Sequence, residues 1–176
     1  LDRIKLCMLP PPQRRSLPYE CYWEDSILTQ EQERIFSNQW LGLGRSDRLE
    51  NPGEYEVFEL CGQALVLIRN QDKELRLYAN TCRHRGAKLL DGTGQCQAIS
   101  CPFHGWTYSL DGNLKYAKTM SENPSFDFAE HSLIEYKLKE LQGFLFVFLG
   151  NKPTDLSIQL GNFSELHQPW SMNELV

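Results

Sequence analysis

Two stretches carry the strongest signal in this sequence: Cys82-Arg83-His84-Arg85-Gly86-Ala87 and Cys101-Pro102-Phe103-His104-Gly105-Trp106. The first contains a Cys and a His in the spacing Cys-x-His, and sixteen residues later the second contains another pair in the spacing Cys-x-x-His. The glycines and the proline favour loops whose backbone passes close to a bound group and donates N–H bonds to it. We therefore predict two loops that hold a metal centre through Cys82, His84, Cys101 and His104.

The mixture of ligands indicates the kind of centre. Two thiolates and two imidazoles suit a binuclear iron–sulfur cluster in which His replaces Cys on one iron. Because imidazoles are neutral, such a cluster accepts an electron at about −150 to +300 mV, against about −400 mV for the all-Cys plant type. Zinc also takes two Cys and two His, but typical zinc fingers pair Cys with Cys and His with His. The sequence favours electron transfer and leaves a structural zinc site as the alternative.

Composition and charge exclude other classes of protein. The chain has 176 residues, of which 41% are hydrophobic and 23% charged, as expected for one globular domain. Its formal net charge of −5 argues against a nucleic acid partner, because phosphate binding needs a surplus of Lys and Arg. No stretch approaches the ~20 apolar residues of a membrane helix, so we expect no membrane contact. The chain begins without Met, so the sequence leaves open whether it is a fragment of a longer protein or pairs with a separate chain.

The remaining metal-type residues have no spacing that suggests ligation. We interpret the other cysteines as small buried residues or free thiols, and the two other histidines as ordinary surface or core residues. These residues are Cys7, Cys21, Cys61, Cys96, His131 and His167.

Hydrophobic periodicity predicts a mainly β fold, an antiparallel sandwich or barrel with a short N-terminal helix. Residues 1–18 are rich in Pro and predict an extended arm. The capping-box pattern at residues 29–32 predicts a helix over 29–39. Strands are predicted at 55–60, 64–69, 75–79, 106–110, 114–116, 134–139 and 143–149, with a hairpin turn at Asp111-Gly112. We expect one domain over residues 19–150, followed by a linker or the start of another domain at 151–176.

The two stretches resemble the Rieske domain of ring-hydroxylating oxygenase α-subunits. The resemblance rests on Cys82-x-His84-Arg85-Gly86 and Cys101-Pro102-x-His104-Gly105-Trp106, and extends upstream through residues 31–36, Trp40, 53–55, 66–69 and Asn80. It covers roughly residues 19–150. Cytochrome bc-type Rieske proteins match less well, because Ala87 and Phe103 stand where that class has two extra cysteines, and Trp106 where it often has Ser. Small Rieske ferredoxins lack the helix-bearing lead-in.

The resemblance implies a Rieske-type β-sandwich with a small cluster-binding subdomain and a [2Fe–2S] cluster bound by Cys82, His84, Cys101 and His104. Residues expected to surround the cluster are Arg85, Gly86, Pro102, Gly105 and Trp106. Fewer hydrogen bonds than in the bc-type class imply a potential at the low end of the Rieske range. Arg85 is expected either to order the loop or an interface, or to belong to a solvated basic patch. Trp106 and Tyr108 are expected either to shield the cluster or to be plain core.

The resemblance also implies a setting. Family members take electrons from a ferredoxin or a flavin/iron–sulfur reductase and pass them to a mononuclear Fe(II), held by two His and a carboxylate in a separate domain. There a substrate is mono- or dioxygenated. Because His131 and His167 are too far apart to form that site, we expect no catalytic residue in this chain. We further expect a homo-oligomer, a trimer when full length, in the bacterial cytoplasm.

Within such an oligomer, His104 is the first candidate for contact with a carboxylate across the subunit interface, and His84 the second. The alternative function is a stand-alone electron carrier like a Rieske ferredoxin.

Overall fold

The structure, a computed structural model, describes residues 2–118, 120 and 122–174. Within these residues the strands form three antiparallel sheets, with the orders β1-β10-β9, β4-β3-β2-β5 and β6-β7-β8. The strands are β1 (Trp40–Arg45), β2 (Glu54–Leu60), β3 (Gln63–Arg69), β4 (Leu75–Ala79), β5 (Thr93–Gln95), β6 (Ile99–Ser100), β7 (Thr107–Tyr108), β8 (Leu114–Tyr116), β9 (Lys137–Leu141) and β10 (Phe144–Phe148). The predicted mainly β, antiparallel fold is confirmed.

Strand β3 separates two halves of the core. Its residues Leu65 to Ile68 are completely buried, and successive side chains point to opposite faces of the sheet. Leu65 and Leu67 pack with Leu145 and Val147 of β10. Val66 and Ile68 pack instead in a second cluster that contains Cys82, Cys101, Trp106 and Tyr108. The two predicted ligand loops therefore lie on one face of the central sheet, against its core.

Most predicted strands are confirmed to within a residue or two. The exceptions are the strand expected at 106–110, which is shortened to Thr107–Tyr108, and the strand expected at 134–139, which lies at Lys137–Leu141. The turn at Asp111-Gly112 is confirmed, with Gly112 N–H donating to the Ser109 carbonyl at 2.9 Å. Strands β1, β5 and β6 were not predicted, because they are short or contain Gly and show little alternation.

The predicted N-terminal helix exists, but its predicted bounds at 29–39 are wrong. Helix α2 spans Asp25–Glu31 and continues as a π-helical turn over Gln32–Phe36. Thr29 does not cap it, since its hydroxyl donates to the Asp25 carbonyl at 2.9 Å within the helix. The helix ends before 39 because Trp40 pairs with Phe148 across β1 and β10 and is buried there. Tertiary pairing outweighs the local pattern.

The extended conformation predicted for residues 1–18 is wrong for the first part of the described arm. Helix α1 spans Asp2–Lys5 and a 3-10 turn follows over Leu6–Met8. The first Pro is Pro10, so nothing in residues 2–8 prevents helical hydrogen bonds. Short 3-10 turns also occur at Tyr19–Tyr22, Ala129–His131, Gln168–Trp170 and Met172–Glu174.

The segment after residue 150 packs on the first sheet. Helix α3 (Leu156–Leu160) begins after Asp155, whose Oδ1 accepts from Ser157 N–H, and α4 spans Phe163–His167. The Gln159 amide accepts from Trp40 N–H at 2.7 Å and donates to the Trp40 carbonyl at 2.8 Å. The domain boundaries at residues 18 and 150 stay predictions. In the described part of the chain, no helix combines the length and apolarity needed to cross a membrane.

Candidate metal centre

The two ligand loops have the same backbone structure despite their different spacing. In each, the Cys N–H donates to the carbonyl five residues later: Cys82 to Ala87, and Cys101 to Trp106, both at 2.8 Å. In each, the glycine four residues after the Cys donates back to the Cys carbonyl, at 2.9 Å for Gly86 and 3.1 Å for Gly105. The loops are therefore one motif built twice, with the His at its third place in one copy and its fourth in the other.

The glycine in each loop is required by the backbone. Gly86 has φ +74° and Gly105 has φ +70°, in the left-handed region that side chains other than glycine rarely adopt. An added Cβ would meet nothing within 4 Å at either position. The constraint is therefore conformational, since the loop could not close its two hydrogen bonds equally well with another residue there.

The four predicted ligands converge at the end of the two loops. Cys82 and Cys101 are only 3% and 4% exposed, whereas His84 is half-buried and His104 exposed. The imidazole rings of His84 and His104 are 4.9 Å apart between centroids and lie nearly perpendicular. All four side chains line one open depression, together with Arg85, Gly86 and Pro102. Buried thiols thus lie at its inner end and imidazoles at its outer end.

The chemistry of this donor set fits a bound cluster. Nδ1 of His84 is buried and has no hydrogen-bond partner, which is costly unless the nitrogen binds something else. Burial, followed by the electrostatic effects of Arg85 and His104, lowers the pKa of His84 and favours the neutral, ligating imidazole. Among the described residues, no three His, Cys, Asp or Glu side chains are placed to hold one ion. A binuclear cluster needs two ligands on each iron.

Tyr108 was expected either to shield the cluster or to be plain core, and the hydrogen bonds of its hydroxyl were not predicted. Its hydroxyl is completely buried, accepts from the Arg83 backbone N–H at 3.1 Å and lies 3.4 Å from Cys82 Sγ. Because Arg83 N–H donates to the hydroxyl oxygen, the hydroxyl hydrogen is available for donation to the Cys82 sulfur. Burial and the nearby Cys82 sulfur raise the pKa of Tyr108 far above its usual value, so the phenol stays protonated. The sequence signal for this contact between the Tyr108 hydroxyl and the Cys82 sulfur is the presence of a Tyr two residues after Trp106.

Trp106 packs directly on a predicted ligand. Its indole ring lies 4.8 Å from the His84 ring at an interplanar angle of 13°, a stacked arrangement, and the side chain is buried. The same residue belongs to the core cluster beneath the loops. Trp106 is therefore a core residue that also stacks on a predicted ligand, and its expected role in shielding the cluster stays a prediction.

A family model of the Rieske [2Fe–2S] domain matches residues 39–132, which include both loops and the sheet that carries them. The chain belongs to this family. The Rieske domain described here is 34% identical, over 151 residues, to the carnitine monooxygenase oxygenase subunit of Escherichia coli (strain K12). It is 30% identical, over 162 residues, to the glycine betaine monooxygenase oxygenase subunit of Chromohalobacter salexigens. These matches cover 85% and 91% of this chain.

Solved structures give the same relationship. The apo form of a quaternary ammonium Rieske monooxygenase superposes with a TM-score of 0.84 at 32% identity, covering 91% of this chain and 48% of that one. Naphthalene 1,2-dioxygenase from a Rhodococcus species gives 0.78 at 25% identity, covering 86% and 36%. These relatives are monooxygenases and dioxygenases, and therefore oxidoreductases. The chain spans about 40% of the length of the curated relatives that it matches.

The tip of the Rieske domain is exposed and positively charged. Phe103 is 74% exposed and lines the same depression as the exposed Arg85, and Arg83 in the first loop is also exposed. Lys88 forms an ion pair with Asp91, whereas Arg85 has no hydrogen bond or ion pair with any described residue. Arg85 therefore does not order its own loop through bonds to the described chain, and it is exposed where it lines the depression.

The cysteines outside the site are unpaired in the described chain. Each is half-buried, so the prediction of free thiols is confirmed for Cys7, Cys21, Cys61 and Cys96. Burial raises the pKa of Cys61 and Cys96, which makes these thiols less reactive than exposed ones.

Proposed function

We propose that this Rieske domain holds a [2Fe–2S] cluster through Cys82, His84, Cys101 and His104, and transfers electrons for an oxygenase α-subunit. The observation that carries the proposal is the duplicated loop, which brings two buried thiols and two adjoining imidazoles together with an unpartnered His84 Nδ1. When bound, the cluster accepts one electron and gives it up again.

The residues around the ligands have separate roles in this proposal. Tyr108 donates a hydrogen bond to Cys82 Sγ and so stabilises added negative charge there. Trp106 keeps water from one face of His84. His104 is exposed, which makes its imidazole available for a hydrogen bond to a carboxylate across an interface. Gly86, Pro102 and Gly105 shape the loops, and Arg85 presents positive charge to a partner.

The proposal extends to the electron donor, the acceptor and the assembly of the full-length protein. We propose a ferredoxin or a flavin/iron–sulfur reductase as donor, and as acceptor a mononuclear Fe(II) site in a separate domain of the same protein or of a neighbouring subunit in a trimer. The support is that the relatives are oxygenase subunits and that this chain spans about 40% of their length. We place the full-length protein in the cytoplasm.

The substrate class proposed for the full-length protein is a quaternary ammonium compound. The support is the naming of relatives for carnitine and glycine betaine, and of a solved structure as a quaternary ammonium monooxygenase. Oxygen consumption by the full-length protein with L-carnitine or glycine betaine, compared with naphthalene, tests this assignment. Turnover of naphthalene alone would refute it.

Metal and sulfide analysis of ligand variants tests the cluster assignment. We expect two irons and two acid-labile sulfides per wild-type chain, as a [2Fe–2S] cluster requires. Cys82→Ser and Cys101→Ser are expected to lose both. Cys96→Ser is the matched control, because Cys96 packs against the same core but lies outside the loops, and it should retain the full content. Zinc without sulfide in the wild type would refute the proposal and support the structural zinc site.

A further inference from the structure

A second layer of rings lies against Trp106 on the side of the loop before β9. The ring centroids of Phe126 and His131 lie 5.7 Å and 5.6 Å from that of Trp106, at interplanar angles of 80° and 73°. Both contacts are edge-on, whereas Trp106 lies flat on His84. The indole of Trp106 is therefore held between a predicted ligand and two further aromatic side chains.

His131 is itself fixed in place. It ends a 3-10 turn, Ala129–His131, and its ring stacks on Phe126 with centroids 4.4 Å apart and an angle of 28°. Its Nδ1 is 2.8 Å from the Asp127 carbonyl oxygen. Phe126 is supported in turn by Phe128, with ring centroids 5.2 Å apart. The layer is a packed unit and not a single loose side chain.

Nothing in the sequence assigned His131 a role, and its spacing is not that of a ligand. Among the ring contacts of the described residues, His131 reaches His84 through the Trp106 ring, so its influence on His84 is an influence on position. A stacked ring with no support on its other sides could tilt or slide, because single ring contacts are weak. Two edge-on partners remove that freedom.

We propose that His131, together with Phe126, is a positioning residue that holds Trp106 flat on the His84 imidazole. The inference rests on the proposed cluster ligation by His84. By fixing the imidazole plane, the layer sets one fixed geometry for the ligand, and by closing the gap beside Trp106 it excludes water from that face. Water beside the cluster would stabilise the more negative, reduced form, so loosening the layer raises the reduction potential.

His167 supplies a matched control within the same chain. Its ring lies 4.2 Å from Phe163 and 6.2 Å from Trp170, and its Nδ1 is 2.7 Å from the Phe163 carbonyl oxygen, also four residues earlier. The arrangement repeats that of His131 with Phe126 and Trp106, but it involves neither loop. Substitution of His167 therefore measures how much the EPR spectrum and the reduction potential change when a histidine packed in this way is removed far from the loops in sequence.

The test compares His131→Ala, His131→Phe and His167→Ala with the wild type, each loaded with iron and sulfide and reduced with dithionite. For His131→Ala we expect broader lines in the EPR spectrum, because a less fixed His84 geometry gives a wider distribution of g values. In samples poised at one fixed potential instead, we expect His131→Ala to show at least a two-fold higher ratio of reduced to oxidised cluster than the wild type. This corresponds to about 18 mV for one electron. His131→Phe retains a ring against Trp106 and should give the wild-type spectrum and ratio, as should His167→Ala.

Each other outcome overturns the inference. A loaded His131→Ala variant with wild-type g values and potential would show that the layer does not position His84. An equal change in His131→Phe would assign the effect to the imidazole itself and not to ring packing. If His131→Ala fails to assemble, Phe126→Leu replaces it, with the same expected shift. A wild type without the cluster would refute the proposed function as well, whereas a loaded wild type with unaffected variants refutes this inference alone.

Discussion

The Tyr108 hydroxyl lies 3.4 Å from Cys82 Sγ and accepts a hydrogen bond from the Arg83 backbone N–H. The backbone of the first ligand loop therefore orients a side-chain hydroxyl that reaches a predicted ligand sulfur. Trp106 has a second effect on the ligands, through packing. It occupies the place where bc-type Rieske proteins often have Ser. Its side chain stacks on His84 and supplies packing in place of a hydroxyl.

Tyr108→Phe is expected to lower the reduction potential. The substitution removes the hydrogen bond to Cys82 Sγ, which stabilises the added charge of the reduced form. A loss of about 1.4 kcal/mol corresponds to about 60 mV for one electron, and we expect a decrease of up to that size. Redox titration followed by EPR measures it.

Tyr78→Phe is the control for Tyr108→Phe. Tyr78 is equally buried in the same core cluster, but its hydroxyl donates to the Leu110 carbonyl and not to a ligand. Its removal should leave the potential unchanged. Equal shifts in the two variants would contradict a specific role for the Tyr108 hydroxyl.

Gly105→Ala is expected to destabilise the domain by roughly 1–2 kcal/mol, the cost of a left-handed conformation for a residue with a Cβ. We expect no further loss of stability from a steric clash, because nothing lies within 4 Å of the added Cβ. Chemical denaturation of the cluster-loaded protein measures the loss. Gly42→Ala is the control, since Gly42 has equally open surroundings without a positive φ. An equal loss in both variants would contradict the conformational explanation.

Arg85→Gln is expected to change the rate at which small ionic oxidants remove the electron. Oxidation of the reduced domain by ferricyanide, an anion, should slow by about two- to three-fold at low ionic strength. Oxidation by a cationic cobalt complex should become faster, and both effects should disappear at high salt. Stopped-flow absorbance follows the reaction.

Arg34→Gln is the control for Arg85→Gln, because Arg34 is exposed on the N-terminal helical segment, outside the loops. It should leave both rates unchanged. If Arg85→Gln affected both oxidants in the same direction, the change would lie in the site geometry and not in the charge of the tip.

The two loops and the sheet could be predicted from sequence because their signals are local, whereas the ligand assignment itself stays a prediction. Cys and His spacing identifies the loops, and a short apolar run rich in β-branched residues at 64–69 identifies the central strand, whose side chains are divided between two cores. Strand β1 could not be predicted in this way. Its Gly42 and Gly44 obscure the alternation of apolar and polar residues. Trp40 fits the periodicity of the preceding helix, and only its pairing with Phe148 shows that it belongs to the sheet.

The finer features of the site depend on contacts between distant residues. Cys-x-His and Cys-x-x-His look different in sequence, and only the two pairs of backbone hydrogen bonds show that the loops are equivalent. The hydrogen bond from Arg83 to Tyr108 joins residues 25 positions apart. The contact between Trp106 and His131 likewise depends on how the chain returns after β8, which no local pattern encodes.

The central claim is tested most directly by the EPR spectrum of the dithionite-reduced protein, with iron, sulfide and zinc assayed on the same sample. We predict a rhombic signal with the low average g of a cluster with mixed His and Cys ligands, accompanied by two irons and two sulfides per chain. An EPR-silent protein that contains zinc and no sulfide would contradict the account, because the duplicated loops would then hold a structural metal and not a redox centre.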